Sequence, residues 1–206
     1  VDMARTAGFE SISVDLIYGT PGESLEDWHS TVTEALSLDI DHISAYALIV
    51  ETGTKLAAQI KRGELTMPND DLMADMYLLV DQMCNEAGLN WYELSNWSKP
   101  GHECQHNIAY WKSANWWGLG PGAHSHVDRK RFWNVKHPTA YKQKLFAGES
   151  PIADSEDLTT EQLRDESIML AIRMRSGLAL SLLTDKAREN LAAYKSSGHL
   201  EIVDEA

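Results

Sequence analysis

The chain has 206 residues, which is room for one large domain or two small ones, and its apolar fraction of 43% and charged fraction of 24% are ordinary for a globular protein. The net charge of −13 disfavours nucleic acids as partners, because a negative surface does not attract a phosphate backbone. No run approaches the roughly 18 apolar residues of a membrane span, so we expect no stable membrane insertion.

Cysteine usage indicates the compartment. Cys84 and Cys104 form no CxxC or CxxxCxxC cluster, so this chain alone cannot supply an all-cysteine iron-sulfur site. We expect a thiol-reducing, cytoplasmic setting. The opening stretch "VDMARTAGF" is typical of the tail of a helix ended by Gly8, and we expect an N-terminal portion to precede it.

The first elements predict a βα repeat. Residues 11–19 form a β-rich run, and residues 42–50 form a second one. Between them, Ser24 and Asp27 have the spacing of a capping box, which predicts a helix to about Ser37. Strand, helix and strand in this order build parallel sheets and barrels.

Asp15 stands out in the first strand. Ile12, Val14, Leu16 and Tyr18 share one parity, which suits the side that faces the helices of a barrel. Asp15 then points inward, near the end of the strand where barrel active sites lie. An inward carboxylate is costly unless it is paired or holds a ligand. A hydrogen-bond anchor for the adjacent turn is an equally good interpretation.

The middle of the chain predicts mixed structure. A connector with a short helix occupies residues 51–68, and Asn69 caps a helix to about Ala87. Residues 91–97 form a predicted strand, "RFWNV" another, and "HPTAYKQKLF" a short helix. One face of the long helix is apolar and predicts a core stripe: Leu72, Met76, Leu79, Val80 and Met83.

The composition changes after Pro151. Thr159 and Gln162 have capping-box spacing at the start of a helix, and "SLLTDKARENLAAYKSSGHLEIVDE" favours two helices and a terminal strand. This order is winged-helix-like. Six Lys and Arg against eleven Asp and Glu from residue 151 onward disfavour DNA binding.

Residues 102–126 are rich in side chains that can bind ligands: they contain four of the eight histidines and three of the seven tryptophans. His102, Cys104 and His106 would share one face of an extended strand, but zinc usually needs a fourth ligand and a shorter reach. A haem iron needs less, namely one free imidazole and a flat apolar slot. His106 offers this with Tyr110 and Trp111 close behind, although core packing explains the same aromatic residues.

A glycine-rich turn follows in "GLGPGAHS". Gly118, Gly120 and Gly122 permit a close approach of the backbone to a ligand, or tight packing. The turn does not open a helix after a strand, which disfavours a Rossmann site. His124 either contacts a ligand that binds at the glycine-rich turn, or it simply follows an ordinary tight turn.

Three motifs in this order are similar to the family of oxygen-independent coproporphyrinogen III oxidase-like proteins, which are radical S-adenosylmethionine (SAM) proteins: "DLIYGTPGES", "PGHECQHNIAYW" and "GLGPGAHSH". The HN-x-x-YW element resembles the haem-chaperone branch rather than the decarboxylating branch. The resemblance covers essentially all 206 residues.

The resemblance implies an α/β fold in three parts. Residues 1–66 would be the C-terminal βα units of a partial (βα)6 barrel. Residues 67–150 would be a mixed α+β region with the two motifs, and residues 151–206 a helical, winged-helix-like C-terminal domain.

The resemblance also implies the ligand sites. Four residues would contact SAM in the intact protein: Asp15, Ile17, Ile49 and His124. Four would bind haem, with the first as iron ligand: His106, Asn107, Tyr110 and Trp111. Family members hold a [4Fe-4S] cluster with CxxxCxxC, which this sequence lacks, so we expect weak or no SAM binding by this chain alone.

The function implied is a haem chaperone that delivers haem to acceptor proteins of respiration, with no catalytic residue assigned. Two alternatives stay open. One is an oxidoreductase of the same family, a SAM-dependent coproporphyrinogen III decarboxylase. The other is a non-catalytic interaction module, which a fully buried, hydrogen-bonded His106 packed under Trp111 would favour.

Overall fold

The computed structural model describes residues 1–67 and 69–203. The chain divides into two compact units, Val1–Gln105 and the part that begins at His106. Within the described ranges, no helix has both the length and the apolar character that crossing a bilayer requires.

Helices and strands both contribute to the first unit. In chain order these are α1 (Asp2–Thr6), β1 (Ser13–Tyr18), α2 (Leu25–Leu36), β2 (His42–Ala47), α3 (Lys55–Lys61), α4 (Asp70–Glu86), β3 (Asn90–Glu93) and β4 (Asn96–Ser98). The predicted helices, the predicted helix end at Gly8 and the first two strands are confirmed. β2 ends three residues earlier than predicted, which leaves Ile49 beyond the strand.

The four strands form one sheet in the order β1-β2-β4-β3. β1 and β2 are parallel, as the βα repeat predicts, whereas β4 is antiparallel to both of its neighbours. The prediction of one strand over residues 91–97 is wrong. The chain reverses at Ser95, which has φ of 66°, so this segment is a hairpin.

One face of this sheet packs against α2 and α4. Ser24 forms the predicted capping box with Asp27 and starts α2. The indole N–H of Trp28 donates to the carbonyl of Met76 at 2.9 Å, and both side chains are fully buried. The apolar stripe of α4 and the apolar parity of β1 belong to this core, as predicted: Ile12, Val14, Leu16, Tyr18, Leu72, Met76, Leu79, Val80 and Met83.

A three-stranded antiparallel sheet in the order β5-β6-β7 organises the second unit. From Gln105 onward the elements are α5 (Gln105–Trp111), β5 (His124–Val127), β6 (Lys130–Asn134), α6 (Pro138–Phe146), β7 (Ile152–Asp157), α7 (Thr160–Ala171), a 3-10 turn (Leu180–Leu182) and α8 (Asp185–Ser196). The predicted strand "RFWNV", the short helix after it and the capping box at Thr159 are confirmed. β7 pairs with β6 and was not predicted.

Two further expectations differ from the structure. The extended strand considered for residues 102–106 is interrupted by a helix, α5 (Gln105–Trp111). The terminal strand is not found in residues 197–203, and residues 204–206, where the expectation also falls, lie outside the described residues.

Candidate functional site

Four aromatic rings of the HN-x-x-YW region form a continuous ladder. The rings of His106 and Tyr110 lie 4.8 Å apart between centroids at 88°, and those of Tyr110 and Trp116 lie 4.8 Å apart at 67°. Trp116 continues to His126 at 4.8 Å and 63°. Edge-to-face contacts of this kind fix ring orientation, so the ladder holds the His106 imidazole in one direction.

Local structure explains the ladder. His106 and Tyr110 are four residues apart on α5, which puts them on the same helix face. Trp116 and His126 exchange two backbone hydrogen bonds, of 2.8 and 3.0 Å, in an isolated bridge. The buried His126 donates from Nε2 to the carbonyl of Asp128 at 2.9 Å, which anchors the inner end.

The outer end of the ladder is open. His106 is exposed, and Tyr110 is 37% exposed. A buried, hydrogen-bonded His106 under Trp111 would have favoured the interaction-module alternative, and the exposed His106 does not favour it. An exposed imidazole that is held by a neighbouring ring is available to a metal ion carried by a flat ligand. Asn107 and Trp111 are both partly buried.

The structure does not support a zinc site formed by His102, Cys104 and His106. His102, Cys104 and His106 do not share a strand, because α5 begins at Gln105. The backbone N–H of Cys104 instead donates to the Tyr92 hydroxyl at 3.2 Å. In the part of the chain that the structure describes, no group of three His, Cys, Asp or Glu residues could hold a metal ion. Burial raises the pKa of the Cys84 thiol to about 12, so that group is not a thiolate at neutral pH.

The glycine-rich segment is a packed turn. A Cβ atom at Gly118 would lie 2.0 Å from the carbonyl oxygen of His124, so only glycine fits there. The N–H of Gly118 donates to the Ser125 hydroxyl at 2.9 Å, and Asn134 donates to the Gly120 carbonyl at 2.9 Å. His124 is exposed, and its ring stacks on Trp133 with 5.5 Å between centroids. These contacts agree with the tight-turn interpretation.

The first unit carries a second group of functional side chains, on the sheet face opposite α2 and α4. Paired residues cross β1, β2 and β4 in two rows. The rows are Ser13, His42 and Ser98, and Asp15, Ser44 and Asn96. We call these six residues the polar sheet face. Paired residues of neighbouring strands point to the same side, so the rows form one surface.

His42 organises one end of the polar sheet face. Its Nδ1 is hydrogen-bonded to the Ser13 hydroxyl and its Nε2 to the Tyr92 hydroxyl, both at 2.8 Å. Burial lowers the pKa of His42, against the opposing effect of the Asp15 and Glu103 carboxylates. The imidazole is therefore neutral near pH 7 and positions two hydroxyl groups.

The polar sheet face also contains unsatisfied atoms. Asn96 Oδ1 and Ser98 Oγ are buried and have no hydrogen-bond partner within the described residues. Asp15 is exposed on the same face, and Ile17, one pleat further along β1, is 56% exposed. Buried orphan atoms of this kind call for a polar ligand or water.

The predicted SAM residues are thus distributed over the chain. Asp15 and Ile17 share one face of β1, and Ile49 lies after β2 with 75% of its surface exposed. His124 belongs to the second unit. Sequence reasoning missed His42, Asn96 and Ser98, although the alternation of polar residues in "HISA" and "SNWS" was the available signal.

The comparisons with known proteins agree with the motifs. A heme chaperone HemW from Mycobacterium tuberculosis is 47% identical over 198 residues, which cover 96% of this chain and 51% of that protein. The chain is a homologue of the HemW proteins. A HemW from Bacillus subtilis is 34% identical over 190 residues, which cover 92% of this chain and 50% of that protein. The chain therefore spans about half the length of the HemW relatives it matches.

A solved structure supports the fold. Coproporphyrinogen III oxidase from Escherichia coli, a radical SAM enzyme, superposes with a TM-score of 0.71 at 19% identity, over 95% of this chain and 48% of that chain. The similarity shows a shared mixed α/β fold between this HemW homologue and part of the enzyme. No family model matches the sequence.

Proposed function

We propose that this protein is a haem chaperone, which binds haem through His106 and passes it to an acceptor protein. The observation that carries the proposal is the exposed imidazole of His106, held edge-on by Tyr110 at 4.8 Å. The names of the HemW relatives support the same function.

The residues of the second unit fit a haem. A haem iron needs one free imidazole, and the porphyrin needs apolar or aromatic contacts. Tyr110 is 37% exposed beside His106 and offers a ring edge or face, while Asn107 and Trp111 complete the motif on the same helix. Haem supplies the iron and the tetrapyrrole. The protein supplies one ligand, a fixed ring orientation and an apolar surface.

An open site suits transfer. A chaperone has to hold haem tightly enough to prevent its loss to lipid and still release it. One histidine ligand at an exposed position gives an intermediate affinity, whereas two ligands in a closed pocket favour retention. The acceptor that we propose is a respiratory haem protein, and the setting that we propose is the cytoplasm.

SAM binding by the intact protein is proposed for the polar sheet face. Asp15 and Ile17 would contact SAM there, with Ile49 as a further contact, and the orphan atoms of Asn96 and Ser98 fit a polar ligand. The two cysteines of the sequence do not fit the three thiolates of a [4Fe-4S] cluster. We also propose that the chain forms part of a partial (βα)6 barrel followed by a winged-helix-like C-terminal domain.

Haem titration followed at the Soret band tests the proposal. The wild-type protein is expected to shift the band with saturable, one-to-one binding, and His106→Ala should weaken binding at least tenfold, the effect of losing about 1.4 kcal/mol of binding free energy. His29→Ala is the matched control, because His29 is also an exposed histidine on a helix. Equal binding by the wild type and His106→Ala would overturn the proposal.

Delivery needs its own measurement. Wild-type protein loaded with haem should transfer it to apomyoglobin, and failure to transfer would leave a haem carrier rather than a chaperone. Incubation of the whole protein with coproporphyrinogen III, SAM and a reductant addresses the enzymatic alternative. A decarboxylated product would favour that alternative.

A further inference from the structure

A cavity lies beside the C-terminal end of α5, within the second unit. It has a volume of about 310 Å³, and Trp111, Lys112, Ser113, Ser167 and Ser176 are among its lining residues. We call it the α5 cavity. Its polar lining consists of hydroxyl groups, an indole and an ammonium group, and the described residues that line it include no carboxylate. This lining is unusual in a chain with 31 acidic residues.

Trp111 contributes a donor without an acceptor. Its Nε1 is buried and has no hydrogen-bond partner in the described part of the chain. A buried N–H that lacks an acceptor costs free energy, and a ligand oxygen would recover it. The hydroxyl groups of Ser113 and Ser176 add further donors, since each can rotate its hydrogen toward a ligand, whereas the Ser167 hydroxyl donates to the Leu163 carbonyl at 2.8 Å.

Two cations flank the same tryptophan. The guanidinium group of Arg173 lies 5.9 Å from the centroid of the Trp111 ring and donates to the Met169 carbonyl. Lys112 is exposed and follows Trp111 directly. Neither cation has a carboxylate within 4.0 Å among residues 1–67 and 69–203. The hydrogen-bond donors of the cavity and these two cations have no anionic partner, and this combination favours the binding of an anionic ligand.

We propose that the α5 cavity binds a propionate carboxylate of the haem, with Arg173 and Lys112 as the cations. The inference rests on the proposed function, because haem is the ligand and its propionates are its anionic groups. Trp111 lies about 7.5 Å along the helix axis from His106 and about 140° around it. A haem bound to His106 would have to extend past the last turn of α5 for one of its flexible propionate arms to enter the cavity.

The test compares iron protoporphyrin IX with its dimethyl ester, which lacks the two carboxylates. The wild type is expected to bind free haem about five- to tenfold more tightly than the ester. Arg173→Gln should lose that preference and leave ester binding and the Soret position unchanged, because iron ligation by His106 is intact. Arg173→Lys should restore part of the preference, and Lys112→Gln should weaken it.

The control is Lys142→Gln, since Lys142 is exposed and also lies over an aromatic ring, that of Phe146 at 5.4 Å. Equal affinity of the wild type for haem and ester, or an unchanged preference in both Arg173→Gln and Lys112→Gln, would overturn this inference alone. Absence of haem binding by the wild type would overturn the proposed function together with it. A melting curve for each variant separates loss of ligand binding from loss of folding.

Discussion

The ring of Tyr110 meets the ring of His106 at 88°, and the same tyrosine meets Trp116 at 67°. Tyr110 therefore connects the exposed imidazole to the anchored part of the ladder. Tyr110→Leu removes both ring contacts, each of which contributes about 0.5–1.5 kcal/mol. We expect haem affinity to fall about fivefold in a Soret titration, because the His106 ring loses its fixed orientation.

Tyr110→Phe is the control for that variant. It keeps both ring edges and faces and removes only the hydroxyl group, so haem affinity should stay close to that of the wild type. If the leucine variant also bound haem normally, the tyrosine would have no positioning role, and His106 alone would account for binding.

The environment of Asp41 predicts that the free energy of unfolding decreases at acidic pH. The buried carboxylate accepts from Arg5, from Lys99 at 3.1 Å and from the N–H of Ile12 at 3.0 Å. Burial opposes ionisation, but these donors lower the pKa of Asp41 to about 2. The pKa is higher in the unfolded chain, so the stabilisation is complete above about pH 4 and is lost as the pH falls toward 2.

Asp41→Asn should therefore lower the free energy of unfolding by about 2 kcal/mol at pH 7. Urea unfolding of wild type and variant at pH 7, 5, 4 and 3 measures the difference. The difference should shrink below pH 4. A difference that is constant with pH would mean that the carboxylate charge is not the stabilising feature.

The buried His42 predicts a second decrease in the free energy of unfolding, at a higher pH than that of Asp41. Burial lowers its pKa from the ordinary value of 6.5, so the folded protein disfavours the protonated ring. Stability is complete above pH 6.5 and falls as the pH decreases below it, since the unfolded chain takes up a proton first. His42→Gln should flatten the dependence of unfolding free energy between pH 7 and pH 5. His29→Gln, at an exposed position, should keep the wild-type slope.

Local signals in the sequence predicted the elements that local interactions form. Ser24 with Asp27 and Thr159 with Gln162 have capping-box spacing, and both boxes are present. These hydrogen bonds join residues three apart, so no distant part of the chain is needed. The core stripe of α4 was predictable for the same reason, because its period follows from helix geometry.

Elements that depend on a distant partner were missed. β7 has the sequence "IADSED", which lacks apolar alternation, and it becomes a strand through pairing with β6. α5 is only seven residues long, too short for a clear period. His106 was identified from its motif, but its ring ladder extends to His126 through the pairing of Trp116, which sequence spacing does not reveal.

The close contact between Gly118 and the backbone of His124 predicts that a side chain at position 118 destabilises the fold. A Cβ atom there would lie 2.0 Å from the carbonyl oxygen and 2.7 Å from the carbonyl carbon of His124, and backbone atoms cannot rotate away. Gly118→Ala should therefore displace the turn from β5 and lower the free energy of unfolding by about 3 kcal/mol. Gly148→Ala is the comparison, since it meets open space and is strained only by its φ of +70°, at a cost of about 1 kcal/mol. Urea unfolding followed by tryptophan fluorescence measures both variants, and a Gly118→Ala protein as stable as Gly148→Ala would mean that the turn yields without cost and does not hold β5 in place.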